Sequence, residues 1–334
     1  MKPMANAVVN RCLLVLMLSL TLLFAIACDQ QASGPSDPSQ AVPEDQPTIV
    51  SLTPAITQML IDMGKRDQLV GVSQDDDASL GLPVCGTYNQ PVIARIVELS
   101  PDLVLTESPM GQKSDVPPLL RSIADEGVFD LRVIPHSRSI ADVERALIDA
   151  EVGLGAAIGD PEAAERARRL MSLRIELVSA VLEGVDRPRV LMLLNPTTLG
   201  AIGTGVTHDE LLRLAGGTNA LAHVKTGYLT LSRSQLQETV RPDVVLILEP
   251  NGSELADGDP RLRAFENLSI PVVTSRRFSV IDHPQTLLPC TTLPEVLVEM
   301  AVVLHPDRAA EIREAYDTAE LVIQQPEDAD EDGA

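Results

Sequence analysis

One short pattern occurs twice in this chain and constrains its fold more than any other feature. "LSPDLVL" at residues 99–105 returns as "VRPDVVL" at residues 240–246, and each copy follows an amphipathic stretch and opens an apolar run. Proline cannot continue a helix interior and biases the preceding residue towards extended geometry. Each copy therefore predicts a helix, a stop and a buried strand. The repetition predicts two α/β halves built on the same helix–proline–strand joint.

The sequence around each joint continues the alternation of strands and helices. In the first half, "TIVSL" predicts a strand, and a helix follows it, with Thr53 as its N-cap, Pro54 at its first position and Gly64 at its end. In the second half, "PRVLMLL", "PDVVLIL" and "IPVVTS" predict strands, while "THDELLRLAGG" and "RSQLQETV" predict helices. Alternation of this kind is typical of parallel sheets.

A long helical pattern lies between the halves, from Asp160 to Gly184. Asp160 is a predicted N-cap and Pro161 a predicted first helical residue. An apolar stripe at helical spacing consists of Ala164, Ala167, Met171, Ile175, Val178 and Leu182. The predicted fold class is α/β, with two Rossmann-like lobes at residues 48–159 and 185–318 joined by one rigid helix at 160–184.

The first residues predict export. "MKPMANAVVNR" carries two basic residues and no acidic one, and "CLLVLMLSLTLLFAIA" is apolar up to Cys28. This pattern is typical of a secretory signal and is too short to span a membrane comfortably. "AIAC" resembles a bacterial lipobox, with Ala25 where such signals more often have leucine. We expect residues 1–27 to be a lipoprotein signal, Cys28 to be acylated and residues 28–47 to form a flexible, Pro- and Ser-rich tether.

Charge and cysteine usage exclude several kinds of partner. The net charge of −22 disfavours nucleic acid and anionic membrane surfaces. Part of this charge lies in residues 319–334, which we expect to be a disordered acidic tail. Outside the signal and the lipobox, only Cys85 and Cys290 remain. An exported protein permits a disulfide between them, and the sequence leaves that open.

The ordered set "IVSLTPAITQMLIDMGKRDQLVGVS", "GTYNQP" and "LSPDLVL" strongly resembles the helical-backbone substrate-binding proteins of ABC importers for vitamin B12, ferric siderophores and haem. The resemblance covers about residues 48–305. It implies a ligand cleft between the lobes, on loops at the carboxyl ends of the strands. It also implies a permease and its ATPase as partners, no catalysis, and a monomer held at a bacterial membrane only by its lipid. No intrinsic cofactor is expected, and the ligand is expected to be a cobalt- or iron-bearing chelate.

The resemblance places a set of candidate ligand contacts on the cleft loops. Tyrosine rings stack on flat macrocycles, and the chain has only three tyrosines. Arginine pairs with carboxylates in bidentate fashion. The candidates are Thr53, Pro54, Tyr88, Asn89, Glu107, Asn195, His208, Tyr228, Arg276 and Arg277. Packing within loops, or solvation at the surface, is the ordinary alternative for each of them.

Metal contact and permease docking give two further expectations. His136 and His208 could ligate iron or cobalt through imidazole, and a thiolate contact from Cys85 is a weaker possibility. Relatives carry a glutamate early in the helix before each joint, which pairs with arginines of the permease. Those places here hold Ala94 and either Ser234 or Gln235. Glu98 and Glu238, near the ends of the same helices, could substitute.

Several other functions stay open at this point. The chain has no GxSxG elbow, P-loop, HExxH or dinucleotide fingerprint, so the residues offer little for an enzyme. A receptor for bare zinc or manganese would need converging histidines and carboxylates. A lipoprotein of the same fold that senses or scaffolds, without transport, would explain the missing docking glutamates. The first choice is a lipid-anchored receptor for a corrinoid, with a ferric siderophore or haem next.

Overall fold

The computed structural model of this chain describes residues 46–108 and 116–324. The predicted signal, the predicted lipidation site Cys28, nearly all of the predicted tether and residues 325–334 lie outside the described residues. The expectations about them stay predictions.

The N-terminal lobe is built on a four-stranded parallel sheet in the order β2-β1-β3-β4. Its strands are β1 (Ile49–Ser51), β2 (Leu69–Gly71), β3 (Leu103–Glu107) and β4 (Asp130–Ile134). The β1 and β3 strands are buried throughout apart from the last residue of β3, which is partly exposed. Near-continuous burial of this kind explains why these strands read as apolar runs rather than alternating patterns.

The C-terminal lobe carries a six-stranded sheet with the path β10-β9-β5-β6-β8, while β7 pairs with β5. Its strands are β5 (Arg189–Asn195), β6 (Gly200–Ile202), β7 (Thr218–Asn219), β8 (Tyr228–Thr230), β9 (Val244–Leu248) and β10 (Phe278–Ile281). Strands β5, β7, β9 and β10 are parallel, whereas β6 is antiparallel to both β5 and β8. The predicted α/β fold class is confirmed, but this second sheet is mixed rather than purely parallel.

Helices cover the sheets and connect the lobes. They are α1 (Pro54–Asp62), α2 (Ile93–Leu99), α3 (Pro118–Asp125), α4 (Ile140–Ile148), α5 (Leu154–Ile158), α6 (Pro161–Val181), α7 (Thr207–Leu214), α8 (Arg233–Gln235), α9 (Pro271–Ser275), α10 (Leu293–Leu304) and α11 (Ala309–Gln324). A π-helical turn at Leu236–Val240 extends α8. The predicted N-cap of α1 and its proline are in place, and Gly64 follows the helix end with a φ of 74°.

The two joints share one hydrogen-bonding device. Asp102 accepts hydrogen bonds from the backbone N–H and the hydroxyl of Thr48, both at 2.8 Å and across 54 residues. Asp243 accepts one from the backbone N–H of Arg189 at 2.9 Å, also across 54 residues. In each lobe the aspartate therefore fixes the start of one strand against the start of its neighbour. The "PD" pair recurs because both sheets need this fixation.

The residue before each proline differs from the expectation. Ser100 has a φ of 48° and Arg241 a φ of 39°, so both are left-handed rather than extended. The preceding helical segments end in the αL conformation, which closes their last turn and satisfies backbone groups there. Each strand then begins two residues after the proline, at Leu103 and at Val244.

The linking helix α6 confirms the predicted rod. The Asp160 carboxylate accepts from the Ala163 N–H at 2.9 Å and pairs with the Lys65 ammonium at 2.6 Å. All six residues of the predicted stripe are buried, in one apolar cluster that includes residues of both sheets. A helix of 21 residues spans about 30 Å at 1.5 Å per residue. Because its apolar side is continuous with both lobes, the rod is part of a shared core.

The chain end also differs from the expectation. Helix α11 continues to Gln324, where the sequence suggested a disordered tail from residue 319. Ala319 is fully buried on this helix, and Tyr316 donates a hydrogen bond to Glu295 at 2.5 Å. Packing against the rod and α10 therefore orders residues whose composition alone favours solvation.

Candidate ligand-binding site

Two neighbouring pockets lie where loops of both lobes meet. They share Leu287, which belongs to the segment between β10 and α10. The first, here called the tyrosine pocket, has a volume of about 280 Å³, and the second, the acidic pocket, about 590 Å³. Both volumes fall near the range of small-molecule sites. Together they form the cleft that the fold predicts between the lobes.

The tyrosine pocket joins one loop of the N-terminal lobe to two segments of the C-terminal lobe. Its lining consists of His136, Ser137, Arg138, Val206, Thr207, His208, Thr226, Gly227, Tyr228, Leu287 and Pro289. Three of the predicted residues, His136, His208 and Tyr228, therefore meet in one place. They come from loops or elements up to 92 positions apart in sequence, which the fold alone brings together.

Tyr228 opens β8, and its side chain is 46% exposed. Partial burial raises the pKa of its phenol, while the positive charge of Arg138 acts in the opposite direction. The two residues belong to different lobes, so this electrostatic interaction crosses the cleft. A phenol that stays protonated presents an aromatic face and a hydrogen-bond donor to a ligand.

His136 is held by a carboxylate at the end of a strand. Its Nδ1 lies 2.8 Å from Oε1 of Glu107, the last residue of β3, and its backbone N–H donates to the Ser108 hydroxyl. A partner on Nδ1 fixes the orientation of an imidazole and leaves Nε2 for another contact. Glu107 thus positions His136 rather than lining either pocket.

His208 lies deeper. It is 4% exposed, and its Nε2 lies 2.7 Å from the Thr286 carbonyl oxygen. Burial lowers the pKa of the imidazole, which favours the neutral ring. Its hydrogen bond holds α7 to the segment between β10 and α10. This ring nitrogen therefore already has a protein partner.

The acidic pocket is formed by the loop after β2, the start of α1 and two segments of the C-terminal lobe. Its lining consists of Pro54, Thr57, Gln58, Ile61, Asp75, Asp76, Asp77, Ala78, Leu80, Pro250, Asn251, Pro284, Gln285, Leu287 and Leu288. Pro54 is the one predicted contact that lines it. Three consecutive aspartates make this half of the cleft strongly negative.

The middle aspartate is tied into a hydroxyl network. One carboxylate oxygen of Asp76 accepts from the Ser73 N–H at 2.8 Å and from the Thr57 hydroxyl at 3.0 Å. Burial raises the pKa of Asp76 to about 6, against the lowering effect of these hydrogen bonds. The network fixes the loop, so that Asp75 and Asp77 project from an anchored turn.

The base of the cleft is closed by direct contacts between the lobes. Glu210 accepts from the Ile140 N–H at 2.9 Å, and the Gln285 amide donates to the Gln58 side chain at 3.3 Å. The Thr291 hydroxyl also donates to the Asp62 carboxylate. These contacts, added to the rigid rod, limit hinging of one lobe on the other.

Four other predicted contacts line neither pocket. Tyr88 and Asn89 form the tip of a turn closed by pairing of Gly86 with Pro91, and both are exposed. Thr53 is 6% exposed, with a hydroxyl that has no hydrogen-bond partner among the described residues. Asn195 accepts from the Thr198 N–H at 2.9 Å, which serves the turn after β5. Thr53 and Asn195 lie at carboxyl ends of strands, and all four residues lie outside the two pockets.

The arginine pair is placed away from the cleft, and this corrects the sequence interpretation. "IPVVTS" forms helix α9 instead of a strand, because Pro271 starts a helical turn and Arg276 ends it with a φ of 54°. The actual strand is β10, so Arg276 and Arg277 precede it, at the edge of the sheet opposite the cleft. The Arg277 guanidinium donates to the Leu304 carbonyl at 3.3 Å and so caps α10.

Glu98 and Glu238 occupy similar places in the two lobes. Glu98 is near the end of α2 and pairs with Arg95 at 2.9 Å, while Glu238 is exposed in the π-helical turn. A helix that precedes a parallel strand runs antiparallel to it. The last residues of both helical segments therefore lie near the amino ends of the strands, at the opposite end of each sheet from the cleft loops. Docking through these residues stays a prediction.

The thiols and the metal expectations have clear outcomes. Cys85 and Cys290 are both free and buried, so no disulfide joins them. Burial raises their pKa values to about 11 and about 12, so neither supplies a thiolate at neutral pH. Within residues 46–108 and 116–324, no group of three or more metal-ligating side chains converges. No helix in the same ranges is long and apolar enough to cross a membrane.

Sequence reasoning missed Arg138 and the Asp75–Asp77 triplet. Both follow strands at the edges of the N-terminal sheet, in loops that carry no distinctive motif. "DDD" within "SQDDDASL" is a run of negative charge soon after "QLVGV", the apolar run that forms β2. That position, at a carboxyl end, was the available signal.

Comparisons with known proteins agree with the geometry. The sequence profile described as periplasmic binding protein matches residues 49–268. A cobalamin-binding protein of Halobacterium salinarum is 30% identical over 233 residues, which are 66% of this chain and 59% of that protein. The chain thus spans less than two thirds of this curated relative.

Solved structures share the fold at lower identity. A periplasmic heme-binding protein from Pseudomonas aeruginosa superposes with a TM-score of 0.63 at 23% identity, over 78% of this chain and 93% of that one. The periplasmic vitamin B12 binding protein of Vibrio cholerae gives a TM-score of 0.58 at 19% identity, over 81% and 98%. At these identities the likeness establishes the architecture alone.

Proposed function

We propose that this chain, which belongs to the periplasmic binding protein family, is the lipid-anchored receptor of an ABC importer, and that it captures a corrinoid and delivers it to a permease. The observation that carries the proposal is the cleft lined by both lobes. Its two pockets meet at Leu287, and its walls come from the loops after β2, β4, β9 and β10 together with the starts of α1, α7 and β8. Such a place is where open α/β sheets hold small ligands.

Corrinoid is the first choice because the curated relative is a cobalamin-binding protein. Haem and ferric siderophores are the next candidates, since proteins of this fold with lower identity include heme-binding ones. Both classes are flat or compact chelates that aromatic rings and a few polar groups can hold. Tyr228 supplies the ring in this cleft.

The metal of the chelate is cargo, and His136 is the better placed of the two predicted histidines to contact it. Its Nδ1 is occupied by Glu107, which orients the ring and leaves Nε2. His208 uses Nε2 on the Thr286 carbonyl instead. We therefore propose His136 as the contact that a cobalt or iron centre would use.

Two alternative functions differ in their support: one residue pattern favours a sensor or scaffold, and nothing in the described residues favours a receptor for a bare metal ion. A sensing or scaffolding lipoprotein would need no permease contact, and Ala94 with Ser234 and Gln235 stand where relatives have docking glutamates. A receptor for bare zinc or manganese would need converging ligands, which the described residues do not bring together.

Ligand binding is the decisive experiment. The mature chain carrying Cys28→Ser, which keeps it soluble, is titrated with cyanocobalamin, haemin and several ferric siderophores. Calorimetry and visible absorbance are the readouts. We expect saturable binding of cyanocobalamin at one site per chain. Binding of zinc alone, with no response to any chelate, would support the divalent receptor.

Anchoring and delivery are tested in cells. Cys28→Ser is expected to release the protein from the membrane fraction and to abolish its labelling with radioactive palmitate. Charge reversal at both Glu98 and Glu238 is expected to reduce uptake while leaving binding intact. Unchanged uptake would remove these two residues from the proposal, and a binder without any uptake would favour the sensor.

A further inference from the structure

Arg138 presents an unused positive charge to the cleft. It is exposed in the loop after β4 and lines the tyrosine pocket. Its backbone N–H donates to Asp142, but its guanidinium makes no ion pair or hydrogen bond with any described residue. Arginines elsewhere in the two lobes form ion pairs. Arg145 pairs with Asp142 at 2.8 Å, and Arg261 pairs with Glu249 at 2.6 Å.

The surroundings of Arg138 suit an anion. Tyr228 lies across the pocket, within electrostatic reach of the guanidinium, and offers a phenolic donor. His136 lines the same pocket, and the nearby carboxylate of Glu107 is already paired with it. Guanidinium and phenol donors from opposite walls can hold two oxygens of one phosphate or carboxylate group.

The other end of the cleft has the opposite charge. Asp75 and Asp77 are exposed in the loop after β2, and hydrogen bonds from Ser79 lower the pKa of Asp77. Since β2 and β4 are the two edges of the four-stranded sheet, the loops that follow them are about 14 Å apart, at roughly 4.8 Å per strand. The cleft is therefore positive at one end and negative at the other.

We propose that Arg138 binds the single anionic group of the ligand, and that Asp75 and Asp77 exclude chelates that carry further anionic groups. This inference rests on the proposed function and adds the charge pattern of its ligand. A corrinoid with one phosphodiester and a periphery of neutral amides fits the pattern. Haemin, with two propionates, and siderophores with several carboxylates do not, because like charges repel at the aspartate end.

Two corrinoids separate the phosphate contact from the rest of the binding energy. Cyanocobalamin carries the phosphodiester, and cobinamide lacks the phosphate together with its nucleotide. Arg138→Gln is expected to weaken cyanocobalamin binding by about tenfold to a hundredfold, as loss of a charge-assisted hydrogen bond does. Cobinamide affinity should change by less than about threefold, because the removed partner is missing from that ligand.

The control removes one positive charge elsewhere in the same lobe. Arg132 pairs with Asp130 on β4 and lines neither pocket, so Arg132→Gln should leave both affinities unchanged. Unfolding temperatures check that each variant is folded. Equal loss of both corrinoids in Arg138→Gln, or no loss of either, would overturn the role of Arg138.

The aspartate end is tested with haemin. The double variant Asp75→Asn and Asp77→Asn is expected to narrow the preference for cyanocobalamin over haemin by about tenfold, since neutral amides no longer repel propionates. The double variant Asp125→Asn and Glu126→Gln, at the end of α3, is the matched control, because it removes two negative charges from residues that line neither pocket. An unchanged preference would contradict the exclusion. If the parent protein binds cyanocobalamin, the proposed function stands whatever these variants do, whereas no binding of either corrinoid refutes both proposals.

Discussion

The two lobes share one joint and differ in almost everything that the joint supports. In each, an aspartate after the proline fixes the start of a strand to its neighbour 54 residues away. The N-terminal sheet then stays parallel, whereas the C-terminal sheet adds the antiparallel strands β6 and β8. The shared device lies at the amino ends of the strands, and the differences lie at the carboxyl ends.

This difference explains how the cleft acquires two chemistries. The N-terminal lobe contributes to the cleft through the loops that follow its parallel edge strands. The loop after β4 carries Arg138, and the loop after β2 carries the aspartates. The antiparallel extension of the C-terminal sheet brings Tyr228 to face Arg138. The two lobes are therefore alike where the strands are fixed to one another, and differ at the proposed ligand cleft.

The largest expected effect concerns the shared core. Leu105 and Leu246 occupy the same position in the two joints, and both are fully buried in the cluster that includes the rod. Each change to alanine is expected to lower the free energy of unfolding by about 3 kcal/mol, from lost burial and the cavity left behind. Denaturant unfolding followed by circular dichroism measures this.

The same pair tests whether the lobes are one cooperative unit. Because the cluster is continuous, either variant should shift one transition as a whole. Leu321→Ala, at an exposed position of α11, is the control and should change stability by less than about 0.5 kcal/mol. Two separate transitions, of which each variant moves only one, would show that the rod does not couple the lobes.

The next effect distinguishes the two tyrosines that the sequence predicted as ligand contacts, one from each lobe. Tyr228 lines the tyrosine pocket, and Tyr88 lines neither pocket. Tyr228→Ala is expected to weaken cyanocobalamin binding by about 2 kcal/mol, about thirtyfold, as loss of an aromatic anchor does. Tyr88→Ala should cost less than about 0.5 kcal/mol. Calorimetry measures both, and Tyr228→Phe separates the ring from the hydroxyl. A larger loss at Tyr88 would place the ligand further out on the N-terminal lobe.

The architecture was predictable from the sequence because it depends on local signals. Each joint contains a proline that ends a helix, the strands are short apolar runs, and the stripe from Ala164 to Leu182 has helical spacing. The fold class and the rod follow from these. The C-terminal strands β6 and β8 were not predicted, since "GAI" and "YLT" are short and lack the proline and helix signals that mark the strands around them.

The site was predictable only in part. The family resemblance placed His136, His208 and Tyr228 near the cleft, and the structure brings them into one pocket. Arg276 and Arg277 were misplaced because "IPVVTS" is β-branched and apolar, yet its proline and its tertiary position favour a helical turn. Arg138 was missed because only its position in one pocket with Tyr228, of the other lobe, distinguishes it from a solvated arginine.

A smaller effect separates the two joints themselves. Asp102 accepts two hydrogen bonds from Thr48, and Asp243 accepts one from Arg189. At pH 7, Asp102→Ala is expected to lower the free energy of unfolding by only about 1 kcal/mol, because the carboxylate is near solvent. Asp243→Ala is expected to lower it by less, because Asp243 accepts one hydrogen bond fewer. Denaturant unfolding measures the difference. Equal costs would mean that the Thr48 hydroxyl adds nothing.

The contribution of Asp102 to the free energy of unfolding is expected to depend on pH. Hydrogen bonds from Thr48 lower the pKa of Asp102 in the folded state. Its contribution is therefore complete above the unfolded pKa, about 3.9, and is lost as the pH falls through the lower folded value. The cost of Asp102→Ala should shrink between pH 4 and pH 2. A cost that stays constant over that range would contradict a role for the carboxylate charge.

The smallest effect uses one thiol in each lobe as a reporter. Cys85 lies in the smaller apolar cluster of the N-terminal lobe, and Cys290 lies in the cluster shared with the rod. In the chain carrying Cys28→Ser, neither should react with iodoacetamide at pH 8 while folded, because burial holds both thiols protonated. In dilute denaturant, Cys85 should label first, since its cluster is smaller and opens at lower free-energy cost. Peptide mass spectrometry resolves the two sites. Equal labelling rates at all denaturant concentrations would mean that both thiols become exposed only when the whole protein unfolds. The cluster around the rod would then hold both lobes together as one cooperative unit.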